Sequence, residues 1–270
     1  MRHLVWQIAA SAIALTAIQW LFARALPAAR QTPQSGVFGW ELLANLLIAA
    51  LLTYIATLLR ADGPRLAVIL FVFLFGVQSN SLIEAVFFQL DIPREELIKM
   101  VLRSLAVSAS FALFLSWITG KWSTSAQAES NFVVKRSLSS WLWRILVCDA
   151  SYLFLYFLAG MIVFPFVQDF YAAKALPSPL HVMLMQLFRG LVFTVLSVPM
   201  IQSMAAKRWR VAVLLGLALS IVGGIAPLLL PNPYMPGYVR WAHGWEVGIS
   251  NFIFGCIMGW LMSRTDKVSL

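Results

Sequence analysis

Long apolar stretches separated by short polar breaks run the length of the chain, at about residues 4–23, 38–59, 66–89, 98–119, 139–165, 180–204, 210–230 and 242–262. Each is close to or above the roughly 20 residues that carry an α-helix across a hydrocarbon core of about 30 Å. A segment in hydrocarbon must satisfy its own backbone hydrogen bonds, which selects helix over isolated strand. The breaks have turn and loop chemistry: RADGPR at 60–65, DIPREE at 91–96, a long polar stretch at 121–137, LPSP at 176–179, AKRWR at 206–210 and LPNPYMPGYVR at 230–240. The pattern predicts an all-α integral membrane protein, a polytopic bundle of about eight transmembrane helices. No break is long or polar enough to divide it, so residues 1–270 read as a single transmembrane helical domain. The first run, Leu4 to Phe22, exceeds the roughly 7–15-residue core of a signal peptide and reads as a retained span.

Composition agrees with this pattern. Of 270 residues, 61% are hydrophobic and 11% charged, and the mean hydropathy is +0.82. Soluble domains average about 25% charged residues. The net charge of +9 does not point to nucleic acid, because the basic residues sit in short breaks rather than in a continuous patch. They read instead as topology signals, since cytoplasmic loops hold the excess of Lys and Arg. With the amino terminus inside, twelve fall in inner segments: Arg2, Arg60, Arg65, Lys121, Lys135, Arg136, Arg144, Lys207, Arg208, Arg210, Arg264 and Lys267. Six fall outside: Arg24, Arg30, Arg94, Lys99, Lys174 and Arg240. The expected orientation is N-in/C-in, with both termini cytoplasmic, in a plasma membrane such as a bacterial inner membrane. Trp40, Trp122, Trp141, Trp143, Trp209, Trp241 and Trp260 fall near span ends, where an amphipathic ring prefers the headgroup layer.

The candidates within spans are five charged residues, Glu84, Arg103, Asp149, Arg189 and Glu246, and, beside the last, the titratable His243. A charge at the centre of a spanning helix costs roughly 2.5–3.5 kcal/mol on insertion scales, so each needs a partner or a task. The alternation of spans sends all of them except Asp149 to the outer half. Residues three or four apart share a helix face. Asn80 and Ser81 therefore line up with Glu84, Gln186 with Arg189, and His243, Glu246 and Ser250 with one another, Asn251 lying eight after His243. Three spans each offer a polar face at similar depth. Glu84, His243 and Glu246 are the candidate acid/base groups, and Arg189, Gln186, Asn80 and Asn251 the candidate substrate-binding ones. The structural alternative pairs Glu84 or Glu246 with Arg189 and uses the amides to join helices. Arg103 is expected to reach outward along its stem, and Asp149 to sit apart with Cys148, Ser151 and Tyr152.

A metal is the weaker reading, since an arginine beside one histidine and two carboxylates disfavours a cation. Cys148 and Cys256 form no CxxC or Cys/His pattern, and neither GxGxxG nor GKS/T occurs, so the cofactor is left unknown. The order Cys148, Arg189, His243 superficially resembles that of exosortases, but the cysteine lies in VCDAS on the half opposite Arg189. LFRG is similar to the end of the Glu-Glu-x-x-Phe-Arg-Gly motif of CAAX-protease-like membrane proteins, but Leu184 and Met185 stand where the glutamates belong. Neither resemblance extends beyond about ten residues, and neither family is assigned.

Three functions fit these observations. The first is an enzyme acting by acid/base chemistry on a lipid-like or lipid-linked substrate from the outer leaflet. The second is a transporter or flippase for an anionic or amphipathic solute, and the third a structural or accessory subunit. Membrane lipid is the expected surrounding partner, and nucleic acid is not.

Overall fold

The computed structural model describes residues 2–27, 37–88, 92–122, 134–172, 174 and 176–264. Arg30, Lys267 and most of the 121–137 break lie outside them. The helices are α1 (Arg2–Ala25), α2 (Val37–Leu58), α3 (Gly63–Phe87), α4 (Arg94–Ile118), α5 (Leu138–Ala172), α6 (Pro179–Ser203) and α7 (Arg208–Ser220). A π-turn (Ile221–Ile225) and the short α8 (Ala226–Leu229) complete the seventh span, and α9 (Gly237–Met262) forms the eighth. Eight helices are thus long and apolar enough to cross a membrane. Among the described residues the only strand-like pairings are the isolated bridges Leu59–Met204 and Asn232–Met235.

The boundaries differ from the hydropathy pattern for local reasons. Helix α4 starts at Arg94 instead of about 98, because Glu95 and Glu96 suit the positive end of the helix dipole and belong to its first turn. Helix α9 starts at Gly237, directly behind Pro236. Helix α5 does not stop at Pro165 but continues to Ala172. The proline removes one backbone donor, a defect that spanning helices tolerate. The DGP turn is tight because Gly63 takes φ +55°, where its N–H reaches Lys121 O at 2.8 Å.

The π-turn interrupts the seventh span at Gly223 and Gly224. Its wider ring takes carbonyls out of the regular ladder, and in an apolar interior they need other donors. Ser81 Oγ reaches Gly223 O at 3.2 Å, and Asn251 Nδ2 reaches Leu219 O at 3.5 Å.

The seventh span is the central one, with 67% of its most apolar window buried, whereas α5 is peripheral at 11% and packs on α6 and α9. Small residues bring α7 and α9 into backbone contact. A Cβ added at Gly255 would lie 2.7 Å from Gly216 Cα, and one at Gly259 2.7 Å from Ala212 Cα. Phe73, Phe111, Phe193 and Phe254 are fully buried in the interior of the bundle.

Basic residues knit one end of the bundle. Lys121 Nζ donates to Leu59 O, and Ala205 N to Leu58 O at 2.7 Å, closing the end of α2. Burial holds the Lys121 ammonium below its usual pKa, with Asp62 opposing. A helix leaves its last four carbonyls unpaired, and at α9 all four are taken. Arg208 Nε donates to Trp260 O at 2.5 Å, Arg144 Nε to Leu261 O at 3.0 Å, Arg136 Nη1 to Met262 O at 3.3 Å and Arg136 Nη2 to Ser263 O at 2.6 Å. At the far end, Arg103 donates to Leu26 O at the end of α1, and Arg240 Nη1 to Leu229 O at 3.3 Å.

Candidate functional site

The far half of the bundle holds two polar knots, one between α3 and α6 and one between α5 and α9. In the first, Arg189 Nη1 lies 2.8 Å from Glu84 Oε2 and donates to Gln186 Oε1 at 2.8 Å. Gln186 Nε2 in turn approaches Glu84 Oε1 at 3.4 Å. Arg189 Nε donates to Asn80 O at 3.2 Å, and Asn80 Nδ2 donates to Arg189 O at 3.1 Å. That reciprocal pair sets α3 and α6 at one level. The rings of Tyr152 and Phe193 lie 5.9 and 5.8 Å from the guanidinium carbon. The Arg189 side chain is 4% exposed and that of Glu84 26%, so the carboxylate is the accessible member of the pair.

In the second knot, Glu246 Oε2 lies 2.5 Å from His243 Nδ1, and Tyr171 Oη lies 2.9 Å from His243 Nε2. The spacing of three along α9 puts His243 and Glu246 on one face. Gly160 faces Glu246 Oε1 at 3.6 Å from its notional Cβ, so a bare backbone position on α5 leaves room for the carboxylate. From that level Tyr171 lies eleven residues along α5 and His243 only three along α9, an offset of about 12 Å at 1.5 Å per residue. Helical side chains lean toward their own amino terminus. In these antiparallel helices Tyr171 therefore leans back and His243 leans out, and the two meet.

The knots lie near each other. Tyr171 lies within electrostatic reach of both Glu84 and Glu246, and His243 within reach of Glu84. Tyr156 lies within reach of Glu84, Glu246 and Arg189. Tyr152 Oη approaches Gln186 Oε1 at 3.4 Å, and the Phe88 ring beyond α3 contacts that of Tyr171 at 6.4 Å.

Of the sequence candidates, Glu84, Arg189, Gln186 and Asn80 are bonded together, His243 and Glu246 are bonded together, and the two groups share one region. Asn251 lies elsewhere, with its amide on Leu219 O of α7 just before the π-turn, and Arg103 caps α1. Asp149 is less remote than its position in the chain suggests. Its Oδ1 lies 2.3 Å from a notional Cβ at Gly190, next to Arg189, and has no hydrogen-bond partner among the described residues. Tyr156 and Tyr171 were not singled out from the sequence, and Tyr152 only as a neighbour of Asp149. Asp149, Tyr152, Tyr156 and Gly160 follow one another at three- and four-residue steps, a helical stripe that marks the face of span five turned to the site.

Among the described residues no group of three or more His, Cys, Asp or Glu is placed to hold a metal ion. Compared with protein-family models, curated proteins and solved structures, the chain matches none.

Proposed function

We propose that the chain is a multi-pass enzyme of the plasma membrane, both termini cytoplasmic, that acts from the outer leaflet on a lipid-like or lipid-linked substrate by acid/base chemistry. The observation that carries this reading is the line Glu246, His243, Tyr171. A carboxylate only accepts hydrogen bonds, so Nδ1 of His243 donates to Glu246, and in the neutral form of the ring the Nε2 lone pair is turned toward Tyr171. His243 then takes a proton from a hydroxyl or water that replaces the Tyr171 hydroxyl at Nε2, and Glu246 stabilises the imidazolium that forms. Glu84 faces the same region with an accessible carboxylate, which accepts from the polar end of a substrate. Arg189, committed to Glu84, Gln186 and the Asn80 backbone, acts by positioning Glu84 rather than as a free anion clamp.

The test is reconstitution in vesicles of membrane lipid extract, with lipid and lipid-linked species followed by mass spectrometry. Wild type should change the product profile with time, and His243→Gln should slow that change by about 10²–10⁴-fold while eluting normally in detergent. A wild-type protein that alters no species, or a His243→Gln variant as fast as wild type, rejects the enzyme.

The π-turn supports a second reading, a transporter or flippase for an anionic or amphipathic solute. A notional Cβ on Gly224 lies 3.1 Å from Val247 and 3.4 Å from Gly248 N, directly after Glu246, so an irregular turn adjoins the His–Glu pair. This reading requires flux across sealed vesicles with no new product. A purely structural subunit requires neither.

A further inference from the structure

Three arginines surround the carboxyl end of α9, and each lies over an indole. Arg136 Cζ is 5.1 Å from the Trp141 ring centre, Arg144 Cζ 4.4 Å from that of Trp143, and Arg208 Cζ 4.5 Å from that of Trp260. Three guanidiniums carry far more donors than the four α9 carbonyls require. Among the described residues Arg208 gives only Nε, to Trp260 O, and leaves both terminal nitrogens uncommitted, while Arg144 leaves Nη2. None of the described ion pairs involves any of the three. They are close enough to repel one another: burial, then Arg144 and Arg208, hold the Arg136 guanidinium below its usual value. The partial negative charge of a helix carboxyl end, about half an elementary charge, offsets only part of this excess.

The surroundings select the ligand. The cluster lies at the level where α5 begins, and one turn further along α5 exposes Leu146 and Val147, 66% and 43% accessible. Trp143 and Trp260 are themselves about half exposed, at 45% and 47%. Free phosphate has no use for the apolar face, and the half-buried guanidiniums, each drawn over an indole, do not project as a patch for nucleic acid would require.

We propose that Arg136, Arg144 and Arg208 form a binding site for the phosphate headgroup of an anionic phospholipid, with its acyl chains against Leu146 and Val147 of α5. Basic pockets between helices at a membrane surface recognise such headgroups. The site is independent of the chemistry proposed at the far end.

The experiment measures lipid retention by native mass spectrometry and thermal unfolding of the full chain in neutral detergent, with phosphatidylglycerol, phosphatidylcholine or inorganic phosphate added. Phosphatidylglycerol should be retained and raise the unfolding temperature beyond phosphatidylcholine, and the excess should shrink at high salt. Arg208→Gln should weaken retention about fivefold, and the Arg144→Gln/Arg208→Gln pair correspondingly more. The wild-type comparison decides even if a variant unfolds. Equal effects of both lipids, full reproduction of the shift by inorganic phosphate, or undiminished retention by a folded double variant would each overturn the proposal.

Discussion

Arg189 gives Nη1 to both Glu84 and Gln186 and Nε to the backbone of Asn80, so residues of two helices hold one buried guanidinium. Removing one partner of a buried pair costs about 3–5 kcal/mol. Glu84 keeps 26% of its side chain accessible, so solvent screening reduces the expected cost of Glu84→Ala to about 1–3 kcal/mol. Replacing both residues by methionine should recover much of that loss, because no charge is then left without a partner. Unfolding of Glu84→Met, Arg189→Met and the double variant in detergent measures the coupling. Strict additivity would mean that the ion pair holds nothing together. At this scale the sequence disclosed what helical spacing can disclose: Gln186 beside Arg189, Asn80 below Glu84, and His243 three before Glu246. It did not disclose Tyr171, which lies beyond Pro165 where the apolar run was expected to end, nor the contact of Asp149 with Gly190. Periodicity identifies which residues share a face but not which face of another helix lies opposite. Asn251 shows the same gap: its spacing matched the polar face of α9, yet its amide goes to Leu219 O, just before a π-turn that no periodicity announces.

The glycines separate two kinds of helical position. Gly216, Gly255 and Gly259 bring the α7 and α9 backbones together, whereas a Cβ added at Gly244 meets nothing within 4 Å. Gly255→Leu must push the helices apart and should abolish a folded, monodisperse species. Gly244→Ala should be neutral or stabilise by about 0.5–1 kcal/mol, the difference in helix propensity. Size-exclusion profiles and unfolding curves of the two variants check this. A folded Gly255→Leu protein would show that the seam has slack elsewhere. Helix number and approximate limits were legible, because apolar run length answers directly to bilayer thickness. The ends of α4, α5 and α9 were not, because charged first-turn residues and an internal proline look like loop in a hydropathy pattern while serving a helix.

The bundle as a whole has two unlike ends. One gathers Lys121, Arg136, Arg144 and Arg208 on helix carboxyl ends, and the other, where Arg103 and Arg240 take that role, carries the His243, Glu246 and Glu84 groups. If the excess of positive charge sets orientation, alkaline phosphatase fused after Leu270 should be inactive and a fusion within the 231–236 loop active. The opposite pattern would reverse the side from which the site is reached. The seventh span runs between these ends and carries one irregularity with a consequence for how the chain tolerates changes in length. A π-turn absorbs one surplus residue locally while the helix on either side keeps its rotational phase. Deleting Gly224 would therefore return the span to a plain helix, with its seam still turned to α9, but would put Gly223 O and Leu219 O back into the ladder and leave Ser81 with Val77 O of its own helix. Deleting a residue within α7 itself would rotate one flank by about 100° and carry Gly216 away from Gly255.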